Sequence, residues 1–135
     1  MNEEAPTFKY NNITIPVTFG YKEVMGDFKK MGLNLLKLFE DQSVMTSIFM
    51  NDELMLEVWF HYVKNYATSM DEAVEHLTPQ QMHVFKEAFW QAVVNFTAPQ
   101  MRPTLIALKA ELDQVLKSPA KNLRSSSFDS SEEQE

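Results

Sequence analysis

The side chains of this chain that could do acid–base or metal chemistry are three histidines, His61, His76 and His83, and two groups of carboxylates, Glu53 with Glu57 and Asp71 with Glu72 and Glu75. A histidine titrates near neutrality, so it can act as a general base, a proton shuttle or a metal ligand. The compact helical signature of a zinc site sets two histidines four residues apart, and no His-x-x-x-His or His-Glu-x-x-His occurs here. Carboxylate pairs divide acid and base roles when burial separates their pKa values. These carboxylates lie where helices are predicted to begin, and there the helix macrodipole and solvation account for negative charge. Nucleophile-elbow, Walker A and dinucleotide-binding patterns are missing from the sequence. The serines at 125–127 and 130–131 fall in a polar tail, without the rigid surroundings that a nucleophile needs. There is no Cys, which removes disulfides, thiolate metal sites and cysteine catalysis. No catalytic, cofactor-binding or metal residue is therefore assigned, and an enzyme is not expected. Only a dispersed site converging on His61 or His83 would reverse that reading.

The elements that would position these residues follow from length, charge and periodicity. The 135 residues fit one domain. A net charge of −7 argues against nucleic acid, whose binders need basic surface to displace counterions, and against anionic lipid. The first residues, Met-Asn-Glu-Glu-Ala-Pro, have neither a basic nor an apolar signal region, so no signal peptide is expected. No apolar run is long enough to span a bilayer.

Residues 7–19 read as a short β-hairpin. Phe8 and Tyr10 alternate with polar residues, Asn11-Asn12 suits a turn, and Ile13, Ile15, Val17 and Phe19 alternate again. Pro16 has no N–H, which places its strand at an edge. Two strands alone are unstable, so they must lie on helices or pair with another chain.

From Gly20 the period becomes helical. Tyr21, Val24, Met25, Phe28 and Met31 share one predicted face, and Gly32 is placed to end that helix. A second short helix is expected across Leu33–Phe39, and Ser43 is expected to cap another turn or two over Val44, Ile48 and Phe49. Asn51 or Asp52 starts a helix whose buried stripe is Met55, Val58, Trp59, Tyr62, Val63 and Tyr66. Ser69 with Glu72 matches a capping box, and Thr78-Pro79-Gln80-Gln81 is a stronger one. The latter opens a helix with the stripe Met82, Phe85, Ala88, Phe89, Ala92, Val93 and Phe96. A last helix is expected from Pro99 or Pro103 to Lys117, burying Leu105, Leu108, Leu112 and Val115 or Leu116. The fold class is thus mainly α. It comprises a single domain over 1–118 of about five to six helices with an N-terminal hairpin, followed by a Ser- and Glu-rich tail, 119–135, expected to be disordered.

Nine Met and ten Phe load these helices with large apolar side chains. Most belong to the core stripes. Phe60 and Trp90 fall beside the stripes, so some helices are apolar over more than one face. Such surplus surface points to an oligomer or a protein client, and Met and aromatic side chains suit adaptable binding surfaces.

The order of these features resembles the tail assembly chaperones of long-tailed phages. The matching residues are Tyr10-Asn11-Asn12-Ile13-Thr14-Ile15-Pro16-Val17-Thr18-Phe19-Gly20, a turn, strand and Phe-Gly step into the first helix. They continue as Val24-Met25-Gly26-Asp27-Phe28-Lys29-Lys30-Met31-Gly32-Leu33-Asn34-Leu35, a helix, a Gly break and a Leu-rich restart. Leu77–Gln81 and Phe89–Phe96 also fit, so the resemblance spans roughly residues 8–117.

The resemblance implies a binding function. The protein would hold the tape measure protein in soluble form, help recruit tail-tube protein, form a homo-oligomer, work in the host cytoplasm and leave before the virion is mature. It implies no cofactor and no catalytic residue. The binding residues that carry over are a surface: Ile13, Ile15, Val17 and Phe19 of the edge strand, with Phe60 and Trp90. A different class, a small acidic phage regulatory adaptor that binds a host protein, is supported by the charge alone.

Overall fold

The computed structural model describes residues 5–117, and the chain is mainly helical with a two-stranded antiparallel hairpin at its N-terminal end. The tail read from the sequence, 119–135, lies outside the described residues. Two compact units divide between Thr97 and Ala98, just before Pro99.

The hairpin pairs β1 (Thr7–Tyr10) with β2 (Ile13–Pro16), in the register Phe8 with Ile15 and Tyr10 with Ile13. Asn11 and Asn12 both take positive φ, 49° and 70°. That is the twist a two-residue hairpin turn requires, and Asn tolerates it better than most residues. The strand stops at Pro16, short of the predicted 19. One further bond, from the Val17 N–H to the Pro6 carbonyl at 2.8 Å, carries the pairing past the proline. The hairpin lies on helices, one of the two solutions the sequence allowed. The Phe8 ring stands edge-on to Phe85 with centroids 4.9 Å apart, and Tyr10 is edge-on to Trp59 at 5.9 Å.

The first predicted helix is two short ones, α1 (Tyr21–Met25) and α2 (Asp27–Met31), on either side of Gly26. A Cβ at Gly26 would meet the Lys22 carbonyl oxygen at 2.9 Å, so the close turn needs glycine. The break re-aims the first turn. Val24 and Phe28 stay buried, whereas Tyr21 and Met25, predicted on the same helical face, are 67% and 56% exposed.

Gly32 ends α2 at φ +100°. Its N–H reaches the Lys29 carbonyl at 3.0 Å, and the Leu33 N–H reaches the Phe28 carbonyl at 2.9 Å. These are the two bonds of a Schellman ending, and the buried Leu33 and Phe28 match its usual apolar contact. Gly32→Ala is expected to lower stability by about 1–2 kcal/mol, because an L side chain is strained at this φ. A urea melt of the variant checks it, with an unchanged midpoint as the contrary result.

The predicted short helix at 33–39 is only a 3-10 turn, Leu35–Lys37. Next comes α3 (Gln42–Met50), capped by Asp41 rather than Ser43. The Asp41 carboxylate accepts from the Ser43 N–H at 3.0 Å and its hydroxyl at 2.7 Å, and the helix is longer than the expected turn or two. α4 (Asp52–Val63) starts at Asn51, whose side chain accepts from the Leu54 N–H at 3.1 Å. α5 (Met70–Val74) starts at Ser69. Glu72, however, reaches back to the Thr68 N–H at 3.0 Å, one residue beyond the expected capping-box partner. α6 (Pro79–Phe96) opens on the full Thr78/Gln81 box, with bonds of 3.2 and 3.0 Å.

In the first unit, β1, β2 and α1–α6 enclose an aromatic core. Phe28, Phe85 and Phe89 are fully buried, joined by Met55, Val58 and Val63 from α4. The second unit begins with a 3-10 turn, Pro99–Met101, and continues as α7 (Arg102–Lys117). A Lys109–Asp113 ion pair of 2.8 Å follows one side of α7.

Candidate docking surface

The structure separates the residues expected to bind protein. Ile15, Val17 and Trp90 are buried, at 4%, 1% and 5% exposure. Ile15 on β2 and Val17 just after it point inward because the hairpin is pinned to the helices beneath it. Trp90 packs against the Phe49 ring at 5.8 Å. A side chain this buried cannot contact a partner without opening the fold, so these three belong to the core. Ile13, beside the turn, is 36% exposed, and Phe19 and Phe60 are half-buried.

Phe19 lies at the centre of the clearest surface feature. It follows β2, and the chain turns from it through Gly20 into α1. Its ring meets Phe28 at 5.4 Å, Phe89 at 5.6 Å and Phe96 at 5.2 Å. Two of these partners are core, while Phe96, at the end of α6, is half-buried. Tyr21 closes the row, edge-on to Phe96 at 5.0 Å. Pro6, Val17, Thr18, Phe19, Ala92 and Phe96 line an open cleft of about 400 Å³ here. Its floor is continuous with the core, so its aromatic walls are held in place before anything binds.

Two hydrogen bonds hold this corner. Glu23 accepts the Gly20 N–H at 2.8 Å, and that bond lowers its pKa. The Tyr62 hydroxyl donates to the Thr18 carbonyl at 3.1 Å, and burial raises the pKa of the phenol.

Phe60 belongs to a second cleft, of about 440 Å³, lined also by Met31, Lys30, Lys64, Asp27, Glu57 and His61. The structure therefore keeps Phe19 and Phe60 near the surface but on different clefts. Sequence reasoning missed Phe96, Tyr21 and Met31. Phe96 falls on the predicted buried stripe, and its place in the last turn of α6 is the signal that it can emerge at the surface.

Of the candidate chemical groups, His61 shares the Phe60 cleft with Glu57 and Asp27, His76 shares a small cavity with Glu72, and His83 lines neither. His61 sits 3.6 Å from Asp27, and His83 sits 3.9 Å from Glu87 on the surface of α6. His76 lines a cavity of about 30 Å³ with Tyr10, Trp59, Glu72 and Gln81, room for a single water. Among the described residues, no three His, Asp or Glu side chains are grouped to hold a metal ion. No helix among them is long and apolar enough to cross a membrane.

His61 nevertheless makes stability depend on pH. Burial lowers its pKa and Lys64 adds to this, while Asp27 and Glu23 pull the other way. The unfolded chain then takes up this proton more readily than the folded one. Stability is fully present above the ordinary histidine value of about 6.5 and falls as pH drops below it toward the folded value. His61→Gln is expected to flatten thermal stability between about pH 7 and 5.5. Glu23, Asp41 and Glu72, whose pKa values are lowered by hydrogen bonds, act in a more acidic window. Melting curves of both proteins across this range check it, and parallel curves would refute a role for His61.

Comparison with family models, with curated proteins and with solved structures finds no match to this chain.

Proposed function

We propose that the protein is a tail assembly chaperone of a long-tailed phage, which binds apolar helical stretches of the tape measure protein and helps recruit tail-tube subunits. The observation that carries this reading is the cleft of Phe19 and Phe96, with the exposed Tyr21 ring packed against Phe96 beside it. It stands at the strand, Phe-Gly step and helix where the sequence resembles that family. A long helical client, kept from aggregating before assembly, offers apolar side chains to a preformed groove of this kind. The exposed Tyr21, Met25, Leu36, Phe39, Met50 and Tyr66 support self-association as well as client binding.

The test is co-expression with the tape measure protein of the same phage, followed by sedimentation velocity of the purified material. The expected result is an assembly larger than a monomer that takes up the client. Tyr21→Ser, at a position 67% exposed, is expected to leave the fold intact. It should weaken client binding by roughly tenfold, the scale of an interface tyrosine. A strict monomer that ignores the client would overturn the proposal and favour the regulatory adaptor.

A further inference from the structure

The hairpin register makes its two outer edges unequal. Thr7–Pro16, Phe8–Ile15, Lys9–Thr14 and Tyr10–Ile13 are opposite one another, and the Val17–Pro6 bond sets the alternation in which Phe8–Ile15 and Tyr10–Ile13 are the hydrogen-bonded pairs. In an antiparallel pair the intervening residues turn their N–H and C=O groups outward. On β2 these are Thr14 and Pro16, and Pro16 has no N–H to offer, so that edge is blunted. On β1 they are Thr7 and Lys9. Both backbone N–H groups lack a hydrogen-bond partner among the described residues, and both residues are exposed.

The β1 edge also borders a groove of about 260 Å³, lined by Thr7, Phe8, Lys9, Gln80, Gln81 and Val84. Val84 is 43% exposed and gives the groove an apolar floor. Lys9 is the one charged side chain lining it, and it makes no ion pair among the described residues, in a chain whose net charge is −7. The first turn of α6, beneath the groove, carries no acidic residue.

We propose that the β1 edge accepts an extended acidic segment of a partner protein as a third strand. Main-chain bonds to Thr7 and Lys9 would hold the segment, one apolar side chain would fill the groove over Val84, and a carboxylate would face Lys9. A second copy of β1 is a poorer occupant, because two-fold pairing would bring two unpaired Lys9 side chains into one small sheet. This inference does not rest on the chaperone reading, since it uses a different surface.

The test is a titration of the full chain, labelled for amide NMR, with an end-blocked synthetic peptide alternating Val and Glu. A peptide alternating Val and Lys serves as the control. The Thr7 and Lys9 amides are expected to shift and to exchange at least about fivefold more slowly, while the Thr14 amide stays unchanged. The Lys peptide is expected to bind roughly tenfold more weakly, and Lys9→Glu to reverse that order. Thr7→Pro removes one outward N–H that the hairpin does not use. It should abolish binding while leaving the thermal midpoint in place.

Equal binding of the two peptides would overturn the proposal. So would shifts confined to Thr14 or to the Phe19 cleft. Slowed exchange of Thr7 and Lys9 that grows with protein concentration, without peptide, would assign the edge to a second copy and overturn it too.

Discussion

Phe89→Ala is expected to lower the stability of the first unit by about 3–5 kcal/mol, the largest effect of any single substitution considered for this protein. Phe89 is fully buried, and its ring touches three others: Phe19 at 5.6 Å, Phe28 at 5.7 Å and Phe85 at 6.0 Å. Removing it loses the transfer free energy of a benzyl group and leaves a cavity that these rings cannot fill without moving. Each lost ring pair adds about 0.5–1.5 kcal/mol beyond its buried area. Small domains are stable by only about 5–15 kcal/mol, so a large fraction of the total is at stake. A shift in the urea midpoint at constant slope reads the loss. A shift equivalent to less than about 1 kcal/mol would mean that the site closes around the gap, and would refute a rigid aromatic core. Because Phe19 leans on Phe89, the variant should also loosen the Phe19–Phe96 cleft, so that the client binding proposed for it falls beyond what the unfolded fraction explains.

Phe8→Ala is expected to cost about 3 kcal/mol and to act first on the hairpin. Phe8 is 4% exposed and stands edge-on to Phe85 at 4.9 Å and to Tyr62 at 6.4 Å. Two strands are not stable without a surface to lie on. Phe8 is one of two aromatic anchors, the other being Tyr10 on Trp59. Losing it should speed amide exchange at Phe8 and Ile15 far more than at the centre of α6, which distinguishes local undocking from global unfolding. Equal acceleration at both places would instead show that hairpin and helices unfold as one. Ile13→Ser, at a position already 36% exposed, should change stability by less than about 1 kcal/mol and serves as the control.

Much of the fold was legible because its signals are local. The Asn11-Asn12 turn, the Asn51, Ser69 and Thr78 caps and the Gly32 ending each depend on a few neighbouring backbone groups. The stripe from Met82 to Phe96 needed only the helical period, and all its members are buried except Phe96, which is half-buried in the last turn. Asp41 was overlooked as a cap because Ser43, two residues on, matches the same preference, yet the Ser43 N–H and hydroxyl both donate to Asp41. The 33–39 segment has enough Leu for a helix but closes only a 3-10 turn, between Gly32 and Asp41.

By itself the sequence determined a mainly helical chain, an N-terminal hairpin, the absence of thiol chemistry and a surplus of aromatic and Met side chains. Tertiary structure decided which of those side chains remain available. Gly26 breaks the first helix, and Tyr21 and Met25 lie outward, against a periodicity that groups them on one face with the buried Val24 and Phe28. Docking of the hairpin buries Ile15 and Val17, which alternation alone could place on either face. Trp90 lies off its helix stripe and is still buried, because a neighbouring helix presents Phe49 to it. Periodicity sorts residues into faces of one element. Whether a face meets water or another element is set by contacts distant in sequence, which no local pattern encodes.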